Sequence, residues 1–241
     1  MQRVVITGLG AVTPLGNDVD TFWNALIAGK SGANLITKFD TTNFKTKFAC
    51  EVKDFDPLHF IEKKELNRLD PSAVYGLVSG SQAVEDSRIL DSYNPDRVGV
   101  IWSSGIGGIL TFQQEVTNFA TGNGIPRYSP FFIPKMIPDI IAGHISMKYG
   151  FRGPNFAPVA ACASSTIAIA DAFIYIKYGR IDACVAGGSE MAITEGGIGG
   201  FNAMKALSER NDDFQTASRP FDATRDGFVM GEGGCGLVLE S

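Results

Sequence analysis

Short apolar runs alternate along this chain with longer segments of helical periodicity. The runs fall at 3–7, 98–102, 155–160, 183–186 and 236–240, each followed within two residues by Gly, Ser or Cys. Consecutive apolar positions read as strands buried on both faces. Helical patterns occupy 20–28, 71–90, 108–119, 138–149, 164–178 and 197–207. Strands alternating with helices predict an α/β layered fold whose central strands are covered on both sides. Residues 39–70 are mixed and polar and read as an insertion rather than core, and 126–138 reads as a loop carrying Phe131 and Phe132. The run at 236–240 has the character of a central strand and stands at the end of the chain, which suggests one part of a larger whole.

Composition narrows the class. With 241 residues, 44% of them hydrophobic, the chain can bury a sizeable core in one large domain or two small ones. Its net charge of −5 leaves no stripe of Lys and Arg to displace counterions, which argues against a general nucleic-acid binder. Four cysteines, Cys50, Cys162, Cys184 and Cys235, form no CxxC pair, so neither a zinc site nor a disulfide framework is expected, and a reducing cytoplasm fits. The first strand begins at Arg3 without a preceding basic region or cleavage site, so no signal peptide is expected. No apolar stretch reaches the ~18 residues that would span a membrane.

Cys162 is the residue with the clearest chemical context. It follows the apolar run at 155–160 and precedes small residues, then a helical pattern. A thiol at a strand-to-helix junction meets free N–H groups and the positive end of the helix dipole, which favour the thiolate. The geometry expected is that of a nucleophile elbow with sulfur in place of a serine oxygen. The competing reading is a buried cysteine acting as a small hydrophobe, and the junction alone leaves both open. Three other motifs are weaker. Gly8-Leu-Gly10 after the first strand invites a dinucleotide reading, but Thr13 stands where the third glycine belongs and no acidic residue follows about 20 residues on. Ser103-Ser-Gly-Ile-Gly-Gly108 could hold an anion or form a tight turn for close packing. The glycine-rich stretch from Arg219 to Gly234 reads best as a loop with satisfied charges.

The order of motifs is more specific than any one of them. Ile6-Thr-Gly-Leu-Gly-Ala-Val-Thr-Pro-Leu-Gly16 is followed by Ser104-Gly-Ile-Gly-Gly108, Ser129-Pro-Phe-Phe-Ile-Pro134 and Ala142-Gly-His144. Then come Gly153-Pro154, Ala161-Cys-Ala-Ser-Ser165, Ala186-Gly-Gly-Ser-Glu190 and Ser218-Arg-Pro-Phe-Asp222. This series, spread over essentially the whole chain, resembles the β-ketoacyl-[acyl-carrier-protein] synthases, most closely the type II elongation enzymes of bacterial fatty acid synthesis.

The resemblance implies the N-terminal half, 1–241, of a thiolase-like fold with five αβαβα layers, in a homodimeric cytoplasmic enzyme. It implies that Cys162 accepts an acyl group from acyl carrier protein before condensation with malonyl carrier protein. The N–H of Cys162 would be one oxyanion-hole donor. Ile106, Phe132 and Phe201 match acyl-pocket positions, Phe132 reaching toward the partner subunit; ordinary core packing is the alternative for all three. Lys63, Lys64, Arg68, Arg127 and Lys205 match a basic patch that docks the acidic carrier protein, where a solvated face is the alternative. No metal or redox cofactor is implied; substrates arrive on phosphopantetheine. The catalytic histidines of the family lie in its second half. Here His144 reads better as a buried, hydrogen-bonded imidazole than as a general base, and His59 is expected to be exposed. Two other readings share this motif order. A non-catalytic partner subunit is disfavoured by the presence of Cys162, and a polyketide ketosynthase by the absence of flanking modular domains.

Overall fold

The computed structural model describes all residues, 1–241. In chain order the elements are β1 (Val5–Val12), α1 (Val19–Ile27), β2 (Asn34–Leu35), β3 (Phe48–Ala49), α2 (Lys63–Leu66), α3 (Pro71–Ser87), β4 (Val98–Ser103) and α4 (Ile109–Thr121). There follow α5 (Phe132–Met136), α6 (Ile140–Tyr149), β5 (Asn155–Phe156), α7 (Ser164–Lys177), β6 (Ala183–Glu190), α8 (Glu195–Ala203) and β7 (Gly233–Glu240). Five strands form one sheet in the order β1-β7-β6-β4-β5. β4 runs parallel to both β5 and β6, whereas β7 is antiparallel to β6 and β1. The α/β class expected from the pattern is the one observed.

Helices cover both faces of the sheet. On one face α3 and α6 enclose a core around Val12, Val78, Val100, Trp102, Ile141 and Ile145. On the other, Ala168, Ala172 and Ile176 of α7 meet Ile101, Cys184, Ala186 and Leu239. α3 begins where Asp70 caps it: the carboxylate accepts from the Ser72 N–H, and Pro71 occupies the first turn, where its missing N–H costs nothing. Twelve of its 17 residues are buried, and many are small. That smallness lets the helix lie close against the sheet. Trp102 fills the remaining space beside Gly80, Gly187 and Gly236, and its indole N–H donates to Ser189 Oγ at 3.1 Å.

Four sequence expectations need correction. β1 does not stop at Thr7 but runs to Val12, so Gly8-Leu-Gly10 lies inside a strand and is no phosphate loop. A Cβ at Gly8 would stand 2.1 Å from the Ala83 carbonyl oxygen and one at Gly10 1.9 Å from that of Ser79; the glycines admit α3. The strand expected at 155–160 pairs only at Asn155 and Phe156. Pro158 has no N–H to offer, so the ladder cannot continue through it. The insertion at 39–70 is not peripheral: Phe48, Ala49, Ile61, Leu69 and Asp70 are buried. Its apolar positions are too widely spaced to show a period. The loop at 126–138 contains the short helix α5.

Candidate active site

Cys162 lies in a single 3₁₀ turn, Ala161–Ala163, immediately before α7. Its side chain is exposed, so the buried-cysteine alternative does not hold, in contrast with Cys184, which is buried in β6. Chain reversal at the junction is sharp. Ala161 takes φ +49°, a left-handed conformation that costs an L-residue of order 1–3 kcal/mol. The surrounding contacts hold it there. Ser164, itself buried, accepts from the Ala160 N–H at 2.8 Å and donates to the Ala161 carbonyl at 2.7 Å. Its hydroxyl therefore closes the turn on both sides of the strained residue. Gly188 of β6 has no Cβ because Ser165 Oγ stands 2.0 Å from where one would be. Removing the hydroxyl in Ser164→Ala leaves the Ala160 N–H without its acceptor. Unfolding in urea should then show a loss of about 1–3 kcal/mol.

The loop 103–108 backs this elbow. The Ser103 hydroxyl donates to the Pro158 carbonyl. A Cβ at Gly105 would lie 3.4 Å from the Ala161 carbonyl oxygen. The loop does hold an anion, and that anion is a protein carboxylate. Glu190, at the end of β6, accepts from the N–H groups of Gly105 and Ile106 and from the Ser104 hydroxyl. Burial pushes its carboxyl above the usual range, against the opposing pull of these three donors. Sequence reasoning missed both Glu190 and Ser164. Each belongs to a quoted motif, but a role visible only through long-range hydrogen bonds leaves no local period.

Ile106 is exposed on this loop. Gly107 and Gly108 press the loop against the carbonyls of Met136 and Lys135, and the Gly108 N–H donates to the Met136 carbonyl at 3.1 Å. The loop is thus tied to α5, where Phe132 stacks on Tyr128 and Phe112. Phe112 and Phe119 of α4, Tyr128 and Phe131 before α5, and Ile133 of α5 are exposed, and the rings of Phe112, Phe119, Tyr128 and Phe132 pack together. Phe201 lies on α8, packed edge-on against Phe228 and beside the cluster that includes Ile198, Leu207 and Met230. Gln113 joins α4 to the start of α8, accepting from the Gly196 N–H and donating to Glu195. Ile106 and Phe132 are therefore brought onto one unit, with α8 braced against it; Phe201 itself is in core-like packing.

The five basic residues are all exposed. Lys63 and Lys64 lie on α2, with Lys64 paired to Glu62 at 2.8 Å. Arg68 stacks over Phe131 at 5.2 Å, joining the end of α2 to the start of α5. Arg127 precedes Tyr128 in the chain. Lys205 follows α8 and lies beside Asn43, Phe44 and Lys45. His59 is exposed, as expected. His144 is half-buried on α6, and desolvation holds its imidazole below the usual range, partly offset by Glu65. It makes no side-chain hydrogen bond, contrary to expectation, and none links it to Cys162. The charges of the 219–228 stretch are satisfied: the Arg219 guanidinium donates to Thr216 and Thr224, and Arg225 to the Asp222 carbonyl. No helix is long and apolar enough to cross a membrane.

Known proteins share this arrangement. The family model of the β-ketoacyl synthase N-terminal domain matches residues 1–241. A 3-oxoacyl-[acyl-carrier-protein] synthase 2 from Coxiella burnetii is 46% identical over 240 residues, covering 99% of this chain and 58% of that protein. A β-ketoacyl synthase structure from Burkholderia phymatum superposes with TM-score 0.89 at 29% identity, covering 100% of this chain and 59% of the other. An assembly described as a type II PKS acyl-carrier protein in complex with its ketosynthase bound to the hexaketide superposes with TM-score 0.77 at 25% identity, over 100% and 63%. The fold is thus thiolase-like, and the chain spans little more than half the length of its relatives. Fold, motif order and family match agree that this chain belongs to the β-ketoacyl synthase family and corresponds to its N-terminal domain.

Proposed function

We propose that this chain is the acyl-accepting part of a 3-oxoacyl-[acyl-carrier-protein] synthase of fatty acid elongation. The observation that carries the reading is the exposed Cys162 at a strained, hydroxyl-braced elbow. In the proposed step the Cys162 thiolate attacks the carbonyl carbon of an acyl thioester on the phosphopantetheine arm of acyl carrier protein. The tetrahedral oxyanion takes a hydrogen bond from the Cys162 N–H, which donates to no group of the chain. Collapse breaks the original C–S bond. The pantetheine sulfur leaves and takes up a proton, and the acyl group remains as a thioester on Cys162. Division into two easier steps is the gain from a covalent intermediate.

Condensation then requires loss of CO2 from a malonyl thioester and attack of the resulting carbanion on acyl-Cys162. No hydrogen bond links His59 or His144 to Cys162, and we place the groups that assist decarboxylation outside these 241 residues. We therefore expect the chain alone to take an acyl group and not to form a C–C bond. Ile106 and Phe132 would shape the acyl site together with a second subunit seated on the aromatic surface of α4 and α5, and Phe201 would close it from α8. Lys63, Lys64, Arg68 and Arg127 would steer the acidic carrier protein, with Lys205 at the margin. No metal or redox cofactor is needed for this chemistry, and a cytoplasmic location is in keeping with it. The greater identity to the elongation synthase than to the polyketide ketosynthase favours fatty acids over polyketides.

The test is acyl transfer from two donors, read as intact mass: acyl carrier protein carrying the acyl group, and a small acyl thioester. A gain of one acyl group from both supports the reading. The triple variant Lys63→Glu, Lys64→Glu, Arg68→Glu should slow transfer from the carrier by about tenfold at low salt and leave the small thioester unaffected. No transfer from either donor would sink the proposal.

A further inference from the structure

Three donors of one loop converge on one side chain. Glu190 Oε2 accepts from the Gly105 N–H at 2.7 Å and the Ile106 N–H at 3.0 Å, and Oε1 from the Ser104 hydroxyl at 3.0 Å. Ser104 Oγ in turn accepts from the Gly107 N–H at 2.9 Å. No Lys or Arg pairs with this carboxylate, so its orientation is set by the loop alone. The loop is the hub of the site. It touches the elbow at Ala161, carries Ile106, and meets α5 at Met136 and Lys135. Glu190 is the last residue of β6, the middle strand of the sheet, and its backbone pairs there with Gly233 of β7.

We propose that Glu190 is a positioning residue that fixes the distance between the Cys162 elbow and the wall formed by Ile106, and thereby the length of acyl chain that Cys162 accepts. The proposal rests on the proposed reading of Cys162 as acyl acceptor and of Ile106 as part of the acyl site. Loss of the carboxylate frees two N–H groups and a hydroxyl, and the loop shifts relative to both the elbow and α5. An amide can stand in for the carboxylate. Its oxygen accepts from both N–H groups and its NH₂ donates to Ser104 Oγ.

The test uses the 241-residue chain and a series of N-alkyl iodoacetamides from butyl to dodecyl. The rate of alkylation at Cys162 is followed by peptide mass mapping in wild type, Glu190→Gln and Glu190→Leu. The expected result is a change of about tenfold in the long-to-short rate ratio for Glu190→Leu, of the size a reshaped apolar pocket imposes, with the ratio restored in Glu190→Gln. Amide exchange at 104–108 should be faster in the leucine variant only. A uniform change across the series, or none, overturns the proposal, because a general loss of stability would not select by length. If Glu190→Leu does not fold, Ser104→Ala removes one of the three contacts, and an unchanged ratio there overturns it equally. The two readings fail separately. Absence of acylation by every thioester donor removes the acyl-acceptor role, whereas acylation with an unaltered length ratio in Glu190→Leu removes the role of Glu190.

Discussion

In Cys162→Ala the mass gain from acyl donors is expected to disappear, a fall in rate of at least about a thousandfold. The other thiols cannot replace it. Cys184 is buried in the central sheet and desolvation pushes its thiol far up; burial also raises Cys50. Cys235 reaches the surface, yet its neighbours pack closely enough to disfavour its thiolate as well. Only Cys162 combines exposure with a free backbone N–H at the carbon under attack. Cys162→Ser is the sharper control, because it keeps the size of the group and the elbow. No imidazole stands beside it to take the hydroxyl proton, so it too should remain unacylated. Persistent single acylation in both variants, mapped to another cysteine, would show that the elbow has no part in the chemistry. Unchanged thermal unfolding of both variants would confirm that the loss is chemical, since an exposed side chain contributes little to the core.

Much of the frame was legible in the sequence, because buried strands and long helices each carry a local signal. All five expected strands fall on strands of one sheet, and the six helical patterns fall on α1, α3, α4, α6, α7 and α8. The elbow was legible for the same reason: a strand-like run, a cysteine and a helical pattern are adjacent in the chain. What failed were inferences about residues whose reasons are distant. Gly8 and Gly10 invited only a weak ligand-loop reading and had no other explanation, because the helix they accommodate is some 70 residues away; Ala83 and Ser79 explain them only in three dimensions. Phe48 and Ile61 looked peripheral because neighbouring polar residues hid their burial. Glu190 looked like one more acidic residue, although its three donors lie 84 to 86 positions away. The five basic residues were grouped by resemblance alone, because charges on an exposed face follow no local period.

The glycine assignment leads to the largest expected change in stability. Gly10→Ala should lower stability by about 3 kcal/mol, near the upper part of the usual range for overpacking, and lower the melting temperature by roughly 6–12 °C. The new methyl carbon would stand 1.9 Å from the Ser79 carbonyl oxygen and 2.8 Å from the Ala83 nitrogen, both in the backbone of α3. No side-chain rotation relieves a collision with helix backbone. The strand and helix must separate, and the bonds from the Leu9 N–H to Asp86 and the Ala11 N–H to Gln82 stretch with them. Gly143→Ala provides the internal comparison. It makes the same chemical change within α6, where nothing lies within 4 Å of the added carbon. Alanine is the better helix former by about 1 kcal/mol, so that variant should melt higher. Opposite signs for one methyl group at two glycines are what packing demands. If Gly8 and Gly10 instead served a dinucleotide phosphate, Gly10→Ala would abolish nucleotide binding and leave the melting temperature where it was.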